Sequence, residues 1–323
     1  MTATGLNRPA APRKDLQHPE IMKKSYSFLG ICLILLGLFA GCSRATPPAP
    51  RPLSEAHQKF LKICREEHKI KVVLKPLRNT LWIYVPLDDD LMRVSSTPEG
   101  ARKSDTAEEH PSVKYLESVY IERRFKITHD IHPDENYLQT PGYRLGYSSA
   151  YQKISQQILT GVSRAYFETK DAPQFFVSVI TDVKNGVEME NIFYLEDLKQ
   201  YMAFGALPQE EFVKRSIYEA RGKTDWIGDT EGRHLAYTEI TLPEFLAKQI
   251  ATRINFKYQK SSFPPSPDTR GEILKVVAET FKSYKFTDFN YVELRDLNTG
   301  RTETVLPAEL QTASAPPTPT TAE

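Results

Sequence analysis

Cysteine is nearly missing from this chain of 323 residues, which has only Cys32, Cys42 and Cys64. The first two fall in or beside an amino-terminal apolar segment. Cys64 alone is left for the body that follows, which excludes an intrachain disulfide framework and a cysteine-built metal site. A surplus of either charge is missing too: 42 basic side chains face 41 acidic ones. A protein that neutralises many phosphates needs a basic surplus, so no nucleic-acid partner is expected. No apolar run is long enough to span a bilayer, since the longest, Phe28 to Gly41, falls short of the roughly 20 residues required. Phosphate-cradling glycine loops, dinucleotide fingerprints, zinc-helix motifs and calcium loops are likewise missing, and no cofactor is predicted.

The most informative stretch present is Met22 to Cys42. Lys23 and Lys24 supply a positive flank, a short apolar middle follows, and the small residues Ala40 and Gly41 precede Cys42. These are the parts of a secretory signal. The segment Leu38-Phe39-Ala40-Gly41-Cys42 resembles the lipobox of bacterial lipoproteins, with Phe39 standing where that family usually has Leu. The resemblance implies lipid attachment to the Cys42 thiol, cleavage before Cys42 and acylation of the new amino terminus. An uncleaved anchor helix is the alternative on the same residues. Residues 1–21 carry Pro9, Pro12 and Pro19 and read as an upstream extension, with Met22 as the expected start. Residues 22–41 are then the signal peptide.

Residues 42–52 hold Pro47, Pro48, Pro50 and Pro52. Such a run favours the extended left-handed form at about 3.1 Å per residue, a tether of roughly 30 Å. Without residues 1–41, which hold five basic and two acidic side chains, the remainder carries 37 against 39, a net charge of −2. One acyl chain gives marginal membrane residence, and two or three hold a protein durably. The expected location is therefore the cell envelope, lipid-anchored and facing the periplasm or exterior. Ser43 after the cysteine, by the same resemblance, tips the expectation toward the outer membrane. The expected partners are the lipid bilayer, through acylated Cys42, and another envelope protein.

The body, 53–310, reads as α+β: a mostly antiparallel sheet of hairpins packed with several amphipathic helices. Ser54 can cap a helix to about His68, on which Cys64 shares a stripe with His57, Phe60 and Leu61 and reads as a packed small hydrophobe. Strands are expected at 71–74 and 80–85, the second apolar on both faces and so central in its sheet. Residues 88–111 are polar, with little to bury, and read as a disordered insertion. The alternation from Val119 to Ile131 predicts one half-buried strand, and 149–167 a helix. A strand at 175–180, the pair Asn185-Gly186 and a return strand at 187–194 predict a hairpin. Further helices are expected at 195–204, 208–221, 242–258 and 271–285, the third opened by a capping box from Thr241 to Glu244. A hairpin at 290–305 closes the body, and 311–323 reads as a disordered tail. Helix–hairpin units thus recur at 54–85, 149–194 and 271–305.

Chemistry is sparse. The loop at 224–234 mixes an aromatic, acids, a guanidinium and an imidazole, and Asp225, Trp226, Asp229, Arg233 and His234 are its candidate binding residues. His129 and His132 are the candidate metal ligands, but strand alternation points them to opposite faces, so no metal site is predicted. Ser163 in Gly161-Val162-Ser163 lies within a helical pattern, not on the strand-to-helix turn that a nucleophile elbow needs. Asp182 reads as the residue that initiates the Asn-Gly turn. No catalytic residue is assigned. The expectation is an envelope-anchored binding, scaffold or assembly module. The alternative is an envelope hydrolase using the 224–234 loop.

Overall fold

The computed structural model describes residues 54–94, 112–132, 145–259 and 268–313. The signal, Cys42, the tether, most of the expected insertion and the tail after 313 lie outside them. Among the described residues, no helix is long and apolar enough to cross a membrane.

The chain begins with α1 (Glu55–Lys62), whose cap Ser54 accepts from the His57 amide, and widens into a π-type turn over Ile63–His68. Next come strands β1 (Val73–Leu77), β2 (Thr80–Leu87), β3 (Met92–Val94), β4 (Ser112–Ile121), β5 (Arg124–His132) and β6 (Leu145–Tyr147). Helix α2 (Ser149–Tyr166) leads to the hairpin of β7 (Phe175–Asp182) and β8 (Val187–Tyr194). Then α3 (Leu195–Met202), α4 (Gln209–Arg215), β9 (Ile217–Gly222), α5 (Leu242–Gln259) and α6 (Thr269–Tyr284) follow. The hairpin β10 (Tyr291–Asp296) and β11 (Thr302–Val305), then α7 (Pro307–Ala313), end the body.

The α+β class and the mostly antiparallel pairing hold, in three sheets rather than one. The largest has the order β1-β2-β7-β8-β9, the next β11-β10-β5-β4, and β3 pairs with β6. The two larger sheets share a device. In each, the second strand of one hairpin runs parallel to the first strand of the next: β2 with β7, and β5 with β10.

Alternation along the five-stranded sheet sends its residues into two cores. Leu81, Ile83, Phe176, Ile180 and Phe193 pack against α1, α2, α3 and α4. Trp82, Tyr84, Phe175, Val177 and Ile192 join α5, α6 and the inner face of the four-stranded sheet. Both faces are covered, which is why β2 and β7 carry apolar side chains at successive positions. Cys64 lies in the first core, fully buried, with its thiol pushed up to about 12 by desolvation. In the second core Phe125 meets Phe281, Phe286, Phe289 and Tyr120 with ring centroids 4.7–5.9 Å apart. Helix α5 opens as expected, with the Thr241 amide and hydroxyl donating to the Glu244 carboxylate at 2.9 and 2.7 Å.

Four local expectations are corrected. The single strand at 119–131 is a hairpin, turned at Glu122-Arg123 with φ of 51° and 60°. The two-residue turn swaps the parity of the inward positions: Tyr120 pairs with Phe125 and packs against it, whereas Ile121, opposite Arg124, is exposed, and neither turn residue is of the Asn-Gly type that marks such turns. The helix at 208–221 stops at Arg215, because Ile217 to Gly222 pair with the free edge of β8 as β9. The first strand of the opening hairpin lies at 73–77, not 71–74. The expected insertion is ordered at its start: Leu91 is buried, its amide donates to Asp182, and β3 pairs with β6.

Candidate functional site

Residues 223–241 between β9 and α5 form a strap with only a single 3-10 turn, Thr224–Trp226. The strap lies across the face of the five-stranded sheet and is pinned to β2. Thr80 bonds the Ile240 amide at 2.8 Å, the Trp82 indole donates to the Thr238 carbonyl at 2.8 Å, and the Tyr84 hydroxyl donates to the Asp229 carbonyl. Gly232 has φ +67°, and a Cβ there would sit 2.6 Å from the Tyr237 hydroxyl and 2.9 Å from the Tyr84 ring. Only glycine allows so close an approach.

This strap brings His234 down onto the sheet. Its Nε2 lies 2.8 Å from Oε2 of Glu188 and its Nδ1 2.5 Å from Oδ2 of Asp229. Trp226 stacks on the imidazole at 4.9 Å, with Tyr84 edge-on at 5.9 Å. Glu188 is 1 % exposed and reaches Thr181, its partner across the hairpin, at 3.5 Å. Burial alone would raise the Asp229 carboxyl. Hydrogen bonds from His234 and from the amides of Glu231 and His234 reverse that and hold it at about 2.

Of the five candidates on this loop, the structure joins Trp226, Asp229 and His234. Asp225 and Arg233 are exposed outside the cluster. Sequence reasoning missed Glu188. The signal was available, since Glu188, Glu190 and Asn191 interrupt an otherwise apolar strand and acids in a buried strand require partners. Chemically the cluster is a carboxylate–imidazole–carboxylate clamp. Both ring nitrogens face carboxylate oxygens, so neither is open to take a proton from a substrate.

The remaining candidates are dispersed. His129 is buried on the same face of β5 as Phe125 and Ile127, and desolvation lowers its pKa against the pull of Asp296 and Asp130. His132 lies on the other face, its Nε2 2.5 Å from Oδ1 of Asp130. Among the described residues, no group of three or more His, Cys, Asp or Glu is arranged to hold a metal ion. Ser163 is inside α2 and donates back to the Thr160 carbonyl. Asp182 accepts from the amides of Lys184 and Asn185 and from the Asn185 side chain, which builds the turn.

A cleft of about 1370 Å³ opens elsewhere, lined by residues of β6, α2, α3, α4, β9, α5 and α6. Tyr147, Tyr151, Tyr201, Phe212 and Tyr218 supply its rings. Its walls on α3, α4, α5 and α6 are tied together by a polar network. Asp197 on α3 receives Arg215 at 2.9 Å and the Tyr284 hydroxyl at 2.5 Å. Glu211 on α4 holds Arg215 at 3.0 Å and Arg253 of α5 at 2.9 Å. Gln249 adds bonds to Tyr284 and to the Arg215 carbonyl at 2.9 and 2.7 Å. Burial raises the Asp197 carboxyl, only partly opposed by Tyr284 and Arg215. Four helices are thereby fixed around one opening. No protein-family model, curated protein or solved structure matches this chain.

Proposed function

We propose that this protein is a lipid-tethered binding module of the cell envelope and that the cleft between α2, α4, α5 and α6 is its binding surface. The cleft carries this reading. At about 1370 Å³ it exceeds the roughly 300–1,000 Å³ of ordinary small-molecule pockets, and a cross-linked helical frame holds it open. The lipobox-like segment ending in Cys42 and the proline-rich tether supply the anchoring part of the reading.

A hydrolase built on residues 224–234 is the less favoured reading. His234 is committed to two carboxylates, and none of these residues lines the large cleft. The test uses the full chain in a bacterial envelope, with a photo-crosslinking residue placed at Gln156 in the cleft or at Arg233 on the strap. A discrete adduct from position 156 and none from 233 is expected. Cys42→Ser is expected to release the protein from the membrane fraction. Adducts only from 233, or unchanged sedimentation of Cys42→Ser, would overturn the respective half of the proposal.

A further inference from the structure

We infer that the cleft takes an uncharged linear oligosaccharide. This assignment rests on the reading of the cleft as a binding surface and names its ligand class. Three observations carry it.

The first is the aromatic surface. Tyr147 is 44 % exposed and lies against Tyr151 at 4.8 Å, so a ring face is presented over a fixed backing. Tyr201 is stacked on Phe212 at 4.8 Å with an interplanar angle of 9°, which holds a second ring in the lining. Flat ring faces suit the C–H-bearing faces of pyranose units.

The second is the polar complement. Gln152, Gln156, Gln209 and Asn255 line the cleft, and their side-chain amides make no hydrogen bond to another described residue. Each amide can donate and accept at once, which matches vicinal hydroxyls that do the same. A docked apolar helix would strip these amides of water without replacing the lost bonds, at a cost that disfavours it.

The third is charge. Lys214 pairs with Glu210 at 2.9 Å, Arg253 with Glu211 at 2.9 Å, and Lys257 with Glu272. Lys275 has Glu279 one helical turn away on α6. Three of the four lining cations are thus paired with a carboxylate, and Lys275 makes no ion pair with another described residue but shares the lining with Glu279. An anionic ligand such as a nucleic acid or a uronate polymer would find no free cationic row. The volume suits several sugar units rather than one.

The experiment uses the full chain in detergent with two neutral probes, cellotetraose and tetra-N-acetylchitotetraose, and one acidic probe, tetragalacturonate, followed by calorimetry. Saturable binding of at least one neutral probe is expected, with less than a twofold change in Kd between 50 and 500 mM NaCl. Tyr147→Ala should weaken it at least tenfold and Gln156→Ala at least threefold. Phe204→Ala, an exposed aromatic outside the cleft lining, should leave it unchanged. No binding of either neutral probe, preference for the acidic one, or indifference to Tyr147→Ala would overturn the assignment. If sugars fail to bind while Tyr147→Ala still abolishes the adduct formed from position 156, the saccharide class falls and the binding-module reading stands. If neither responds, both fall.

Discussion

Replacing His234 by Ala removes the close hydrogen-bond partner of a buried acid. Glu188 is 1 % exposed, and its Oε1 has no hydrogen-bond partner among the described residues. Its Oε2 relies on His234 at 2.8 Å and on Thr181 at a long 3.5 Å. Removing the imidazole leaves a carboxylate in the sheet with almost nothing to hold it. Breaking one partner of a buried pair costs about 3–5 kcal/mol. Loss of the Trp226 stack, at 4.9 Å, adds about 0.5–1.5 kcal/mol. Against a total stability of about 5–15 kcal/mol, the loss is large. Urea unfolding of the purified protein, followed by tryptophan fluorescence, should show the unfolding free energy falling by that amount, read as a lower midpoint at unchanged slope. Adding Glu188→Gln to His234→Ala should recover more than half of it, because an unpaired amide costs less to bury than an unpaired acid. A loss below about 1 kcal/mol for His234→Ala, or no recovery in the double variant, would refute the reasoning.

Three further outcomes follow from the same structure. Gly232→Ala forces a left-handed φ of +67° on a residue with a Cβ and drives that Cβ toward Tyr84 and Tyr237. A loss of about 1–2 kcal/mol from the backbone alone, with early proteolytic cutting within 223–241, is expected by limited trypsinolysis. Asp229 has its carboxyl lowered from 3.8 to about 2, so its contribution to stability is complete above pH 3.8 and is lost as pH falls toward 2. Asp229→Asn should flatten acid unfolding in that interval and leave its shape at neutral pH unchanged. Cys64, buried with its thiol at about 12, should resist Ellman's reagent in native buffer and react at once in 6 M guanidinium.

Much of the local structure was legible because short-range physics governs it. The hydroxyl and carboxylate of Thr241 and Glu244 are three residues apart, and that spacing is enough to build a helix start. Asn185-Gly186 turns a hairpin for a reason contained in two residues, glycine's freedom at φ +64°. The apolar faces of β2 and β7 announced a strand covered on both sides. The helix–hairpin units were likewise visible as a recurring order. The parallel pairing of β2 with β7 and of β5 with β10 was not, because it joins strands separated by nearly a hundred residues or more.

The amino-acid order determined, by itself, the α+β class, the central strands, most helix starts and the place of Trp226, Asp229 and His234 on one loop. Those follow from spacing, capping and turn chemistry, which act within a few residues. Tertiary structure alone decided that His234 would clamp Glu188 from 46 positions away, that Ile217 would leave a helix to extend a sheet, and that seven separate elements would line a cleft. Burial and pairing at such distances depend on which surfaces meet, and no local pattern encodes that meeting.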